Sequence, residues 1–199
     1  MLPGWQRAQS DFGAAPMNAQ MMLPPVLDAC CGPRMMWFDG ADRRALYIDK
    51  DPRVIERDWT KDGKSAGRKP AICAPDLVAD FTALPLPDES FYLVVFDPPH
   101  VGLSRTGKSG KFRKLYGTLP ADWQEVLRAG FAECFRVLRP HGTLIFKWAE
   151  HSIKLGAILG LTPHPPLFGH RTVRSTHWVC WIKEGPAPGA GLTVDGVKP

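Results

Sequence analysis

Asp97-Pro98-Pro99-His100 is the part of this 199-residue chain whose residue types and spacing most directly imply chemistry. It follows Phe91-Tyr92-Leu93-Val94-Val95-Phe96, a run that reads as a buried strand. A polar turn at the carboxyl end of such a strand is where open α/β sheets hold ligands. The Asp97 carboxylate can accept hydrogen bonds there. Two consecutive prolines remove two backbone donors and fix φ, so nearby carbonyls are held as acceptors. His100 can stack or hydrogen-bond. A rim rich in acceptors and poor in donors suits an exocyclic amine, which brings N–H groups to donate. The competing reading is an ordinary proline turn.

The elements that must position this turn are visible as apolar runs. Val26-Leu27-Asp28, Ala45-Leu46-Tyr47-Ile48-Asp49, Asp76-Leu77-Val78-Ala79-Asp80 and Tyr92 to Asp97 each read as a strand that stops at an aspartate. In a parallel sheet these ends share one edge, so Asp28, Asp49, Asp80 and Asp97 line one crevice. The plainer reading is that each aspartate ends its strand and caps the next element. Trp123, Val126, Leu127, Phe131, Cys134, Phe135 and Leu138 recur at helical spacing and predict a helix over 121–138. Pro120 suits its first turn, Asp122 and Glu125 its positive end, and Arg136 and Arg139 its negative end. Pro140-His141-Gly142 reads as its stop. Thr143 to Trp148 is then a fifth strand and Ile153 to Leu159 a short helix. Thr176 to Ile182 is a last strand, able to pair antiparallel. The alternation is that of one α/β domain over 21–184, with a loose arm at 1–20 and a tail rich in Gly and Pro at 185–199.

Composition narrows the function classes. Hydrophobic residues make up 44% and charged residues 23%, which suits a globular domain rather than a disordered chain. A net charge of +5 permits a polyanionic partner without requiring one. The five cysteines include no CxxC pair, so no zinc site of the usual spacing is expected and no metal is assigned. They read as reduced core cysteines of a cytoplasmic protein. No run of about 18 apolar residues points to a membrane. Gly32, in Leu27-Asp28-Ala29-Cys30-Cys31-Gly32-Pro33-Arg34, either lets the backbone approach a ligand closely or makes a plain turn. Asp28 either orders that turn or binds an ammonium. The chain has no GxGxxG and no GxxxxGK[ST], which argues against a pyrophosphate or triphosphate cradle. Asp49 stands where an acid can grip a ribose diol. Asp80 either accepts from an adenine amino group or caps Thr82 and the loop after it.

Together these residues resemble the class I S-adenosylmethionine-dependent methyltransferases of the amino-methylating group, over roughly 24–183. Leu27 to Gly32 is similar in part to the first motif of that family. Asp49 falls at its ribose-binding acid, and Asp80 in Ala79-Asp80-Phe81 at the acid beside the adenine. Asp97 to His100 is similar to its catalytic motif, and Phe135 to Gly142 to its helix-to-strand segment. The resemblance implies a Rossmann-like, mostly parallel seven-stranded sheet with an antiparallel last hairpin and helices on both faces. It implies S-adenosylmethionine as cofactor, held by Asp28, Cys30, Gly32, Asp49, Asp80 and Phe81, with catalysis at Asp97, Pro98, Pro99 and His100. Within that group the chain looks most like small phage or bacterial DNA N6-adenine methyltransferases. Two positions depart from the family pattern. Pro33, Arg34 and Met35 follow Gly32 in place of a second glycine, and His100 stands where Tyr, Phe or Trp is usual.

The implied reaction is an in-line displacement: the amine attacks the sulfonium methyl and a neutral thioether leaves. Alignment replaces a bimolecular encounter. The Asp97 side chain and the Pro98 carbonyl would accept from the amine and stabilise the positive charge that develops. Cytosine N4 offers the same donors, but Asp-Pro-Pro is commoner among the N6 enzymes. RNA adenine fits the same pocket. A protein amide is a further substrate reading, and a catalytically weak nucleic-acid-binding module is a reading from another class. Carbon-5 cytosine methylation needs a cysteine nucleophile, and none sits at this motif.

The segment over 101–118 carries Arg105, Lys108, Lys111, Arg113 and Lys114 without an acid, with Tyr116 and several glycines interleaved. It directly follows the catalytic motif. It reads as a loop that grips phosphates and fills the gap left by a flipped base. DNA is favoured over RNA as partner. The chain shows no separate recognition domain, so the target is short, a homodimer shares the work, or a partner guides it. Neutralising Lys111, Arg113 and Lys114 together should weaken nucleic-acid binding and flatten its salt dependence by about one unit of log–log slope per lost phosphate contact. Binding titrated at several salt concentrations checks this; an unchanged slope removes the loop from the phosphate contacts.

Overall fold

The computed structural model describes residues 23–56, 58–61, 64–68, 70–100, 117–150, 152–169 and 176–185. The arm at 1–20, the candidate substrate residues Arg105, Lys108, Lys111, Arg113, Lys114 and Tyr116, and all but the first residue of the tail lie outside them.

Each aspartate-terminated apolar run contains a strand, but the third is reduced to Leu77–Val78, so Asp80 lies two residues beyond its end rather than closing it. In chain order the strands are β1 (Val26–Asp28), β2 (Ala45–Asp49), β3 (Arg53–Ile55), β4 (Asp58–Lys61), β5 (Lys64–Arg68), β6 (Ala71–Cys73), β7 (Leu77–Val78) and β8 (Phe91–Phe96). Helix α1 (Trp123–Val137), β9 (Leu138–Ala149), α2 (Leu155–Leu159), β10 (Phe168–Gly169) and β11 (Thr176–Ile182) complete the described elements. Seven strands form one sheet in the order β10-β11-β9-β8-β1-β2-β7. Neighbours from β7 across to β9 run parallel. The last hairpin is reversed, with β11 antiparallel to both β9 and β10. This is the Rossmann-like arrangement expected, and it follows from the strand order itself.

The order places a topological switch at the centre of the sheet. From β1 the chain moves outward through β2 to β7, then returns to the other side of β1 as β8. The crevice beyond the carboxyl ends of β1 and β8 is therefore the default ligand site. Asp28 ends β1, and Asp97 directly follows β8. Between β2 and β7 the described chain forms two antiparallel pairs, β3 with β6 and β4 with β5, and between β1 and β2 it runs as turns.

Helix α1 forms where the apolar spacing predicts, but it starts two residues late, with Asp122 as its N-cap and Pro120 outside its first turn, and it ends one residue early. Leu138 is already extended, with ψ 134°, and pairs with Phe91 across β8 and β9. Strand β9 then absorbs Pro140-His141-Gly142, which was expected to be a stop. His141 takes the kink at φ 63° and donates its N–H to the Lys183 carbonyl, while Gly142 accepts from Lys183. The ladder between β9 and β11 outcompetes the turn signal because it satisfies those backbone groups.

The core joins α1 to the strand that delivers Asp97. Phe131 of α1 packs edge-on against Phe96 at 5.4 Å between ring centroids, and at a tilt of 48° against Phe146 of β9 at 5.1 Å. Trp148 and Trp181 are fully buried in the same cluster. Each such side chain contributes about 1.5–3 kcal/mol by leaving water. Cys31, Cys73, Cys134 and Cys180 are buried, Cys30 is half-buried, and all are free thiols. Among the described residues no helix is long and apolar enough to cross a membrane.

Gly130 is the point of closest approach. A Cβ there would lie 2.7 Å from both the Phe81 and Phe96 rings. Gly130→Ala should therefore destabilise the fold by roughly 1–3 kcal/mol through overpacking, even though alanine favours helix. Urea unfolding measures it; an unchanged midpoint would mean that the rings yield freely.

Candidate active site

The turn after β1 is built around Asp28. Its carboxylate is fully buried, accepts from Trp37 Nε1 at 2.7 Å, and accepts weakly from the Cys30 backbone N–H at 3.4 Å. Burial pushes its pKa up to about 7 against the pull of the Trp37 hydrogen bond, and the nearby Asp97 charge adds to the rise. Asp28 thus orders the turn from beneath and does not line the cavity described below.

Gly32 follows at φ 49°, a left-handed conformation that glycine adopts without strain. Its N–H donates to Asp49 Oδ2 at 3.0 Å. Asp49 Oδ1 accepts from the Asp51 N–H at 3.0 Å and from Arg53 at 3.1 Å. A carboxylate has about four acceptor positions, so Oδ2 keeps room for one incoming hydroxyl. Arg34, one of the departures from the family pattern, acts as a clamp. Its guanidinium stacks over Tyr47 at 3.8 Å and donates to the Gly40 and Ala74 carbonyls and to Asp76.

A cavity of about 240 Å³ opens over these residues. Cys30, Gly32, Met35, Met36, Asp49, Phe81, Asp97, Pro99 and Lys147 are among its walls, with Lys50 and Arg53 supplying further positive charge. Of the expected cofactor residues, Cys30, Gly32, Asp49 and Phe81 meet here, while Asp28 and Asp80 do not reach it. Asp80 accepts from the Thr82 N–H at 3.0 Å, from the Thr82 hydroxyl at 2.9 Å and from Lys50 at 3.2 Å. Burial works to raise its pKa, but these hydrogen bonds and the Lys50 charge outweigh it and hold the carboxyl below its usual value. Its carboxylate therefore serves the local cap. Phe81 is buried against Phe96 at 5.2 Å and shows only its margin to the cavity.

The catalytic motif divides in the same way. Asp97 and Pro99 line the cavity, whereas Pro98 and His100 do not. Asp97 Oδ2 accepts from Lys147 Nζ at 2.5 Å. Its Oδ1 is buried and has no hydrogen-bond partner among the described residues. His100 Nδ1 lies 3.9 Å from that oxygen, and the His100 ring meets Trp148 edge-on at 6.0 Å. His100 is therefore packed behind Asp97 rather than displayed as a stacking platform.

Sequence reasoning missed Lys147, Arg53, Trp37 and the Met35–Met36 wall. A signal existed for Lys147: it is the lone charge inside the apolar run Leu144-Ile145-Phe146-Lys147-Trp148. The donor atoms of Cys31, Asp49 and Cys73 also come within 4.8 Å of one another. The Asp49 oxygens already serve two backbone amides and the Arg53 guanidinium, which opposes a cation there. A hydrogen bond to Cys73 and burial push the Cys31 thiol far up, so the pair behaves as core thiols.

No family model matches the chain, and no curated protein matches it. Solved structures give remote overlays. The PH0226 protein of Pyrococcus horikoshii OT3 is 14% identical, with 80% of this chain and 81% of that one covered at a TM-score of 0.49. An S-adenosylmethionine-dependent methyltransferase of Mesorhizobium loti is 12% identical over 90% and 97%, at 0.44. A 16S rRNA (adenine(1408)-N(1))-methyltransferase variant of Catenulisporales acidiphilia is 12% identical over 92% and 91%, at 0.41.

Because the Asp28 pKa in the fold lies well above its ordinary value of 3.8, the folded state holds a proton that the unfolded chain releases. Its contribution to stability is complete below about pH 4 and is lost as pH rises to about 7. Asp28→Asn keeps an acceptor for Trp37 and removes the titration. The variant should gain stability relative to the parent between these limits, by on the order of a few kcal/mol, and stay level above them. Parallel denaturation series from pH 4 to 9 test this; a constant difference would contradict it.

Proposed function

We propose that this chain transfers a methyl group from S-adenosylmethionine to the exocyclic N6 amine of adenine in DNA. The observation that carries the reading is Asp97 Oδ1, a buried acceptor without a partner, in a residue that lines the cavity at the switch point of the sheet. Leaving such an atom unpaired costs about 1–3 kcal/mol, a cost expected where an incoming N–H completes the site. The cofactor supplies an electrophilic methyl on a sulfonium. The residues present fit it: Asp49 Oδ2 has room for a ribose hydroxyl, and Met35, Met36 and Phe81 offer an apolar wall for a base.

Asp97 would accept one hydrogen of the amine and oppose the positive charge that grows on nitrogen, which is transition-state stabilisation. Two prolines hold the carbonyls of the turn without competing donors. A strong general base is not required, since proton loss is easy once nitrogen carries the methyl. The cavity is smaller than the roughly 300–1,000 Å³ usual for ligand sites, so a base entering beside the cofactor needs the rim to widen.

Labelled S-adenosylmethionine offered with unmethylated duplex DNA, single-stranded DNA and RNA in parallel, followed by nucleoside mass analysis, tests the reading. N6-methyladenine in DNA is expected. Methyladenine in RNA alone changes the polymer, and methylcytosine changes the base. Asp97→Ala should lower turnover by at least about 100-fold while cofactor binding persists; unchanged turnover would displace the site.

A further inference from the structure

Lys147 has no role in the reaction described above, yet it is the nearest charge to the reacting turn. Strands β8 and β9 pair in parallel with Phe96 opposite Phe146, so Asp97 and Lys147 stand side by side one residue further on. Both line the cavity, and their side chains remain 11% and 24% exposed. The ammonium spends one N–H on Asp97 Oδ2 and makes no other hydrogen bond among the described residues. The Trp178 ring lies 5.9 Å away and gives it a flanking aromatic face. A purely structural ion pair would have no reason to leave Asp97 Oδ1 buried and unsatisfied. The pair instead holds an unused acceptor and a donor next to one another, on two residues that line one cavity.

We propose that Asp97 and Lys147 form a two-point site for an edge of the target base that carries the exocyclic amine beside a ring nitrogen. Asp97 Oδ1 accepts from the exocyclic amine, and Lys147 Nζ donates to the neighbouring ring nitrogen. In adenine that nitrogen is N7 on one edge or N1 on the other. Guanine shows two acceptors, O6 and N7, where adenine shows the N6 donor and N7, and so leaves Asp97 without a donor on that edge. A donor on the ring nitrogen draws the amine lone pair further into the ring. Lys147 therefore serves binding and choice of base rather than the chemical step, and its loss acts on KM more than on kcat. The inference deepens the amine-methylation reading and rests on it.

Mixed-sequence oligonucleotide pools in which every adenine is replaced by 7-deazaadenine or by 1-deazaadenine provide the test, in whichever strand state the parent protein methylates. One of the two replacements should raise KM by about tenfold or more, the loss of one hydrogen bond to a charged donor, while the other has little effect. Lys147→Met should raise KM for ordinary adenine similarly and should no longer distinguish that analogue, so the two losses do not add. Full additivity, or indifference of the parent to both analogues, overturns the pairing. The analogue comparison on the parent protein needs no variant, so it decides the matter even if Lys147→Met fails to fold. Absence of methylation on any nucleic acid overturns the underlying reading and this one with it, whereas methylation that ignores both ring nitrogens overturns this one alone.

Discussion

The parallel pairing of β1 with β8 is the constraint on which the rest of the site depends. It brings the carboxylates of Asp28 and Asp97 to the same point of the sheet edge, in a region largely closed to water. Two like charges there repel, and neither is well solvated. The surrounding residues act as a response to that conflict. Trp37 reaches back to hydrogen-bond Asp28, whose affinity for a proton rises, and Lys147 comes across from β9 to oppose Asp97. One carboxyl is thereby turned into a support of the backbone turn, and the other belongs to a residue that lines the cavity. Chemically identical residues at equivalent strand ends take different roles because their neighbours differ.

The same division runs through the other two strand-end aspartates. Asp49 is held by the turn after β1 and by Arg53, so it ties the first two strands of the site together while keeping an oxygen on the cavity. Asp80 is used up by Thr82 and Lys50. Strand-end acids therefore mark an edge of the sheet, and hydrogen-bond occupancy decides which of them can receive a ligand.

Much of this was legible in the sequence because it depends on local patterns. The apolar runs that stop at aspartate, the helical spacing from Trp123 to Phe135 and the reversed final strand all appear where the pattern places them. What escaped was long-range. The partnership of Lys147 with Asp97 spans 50 positions, and the clamp of Arg34 on Asp76 spans 42. Nothing in the local spelling of Pro33-Arg34-Met35 tells that its arginine will stack on Tyr47. Likewise, Pro140-His141-Gly142 reads as a stop until the competing ladder with Lys183 is known. Turn chemistry gives way wherever a neighbouring strand satisfies the same backbone groups.

Arg34 has a consequence for how the site would meet a ligand. Its guanidinium joins the loop between β1 and β2 to the segment entering β7 through Ala74 and Asp76, while stacking on Tyr47 of β2. Three consecutive parts of one sheet edge are thus linked at a single side chain. A wall tied in this way is already ordered before anything enters, and little conformational freedom remains there to be lost on binding. Preorganisation on this side of the cavity shifts the burden of selectivity to the opposite side. On that side Pro99 and Gly117 line the cavity, and a Cβ at Gly117 would meet Pro99 at 3.5 Å.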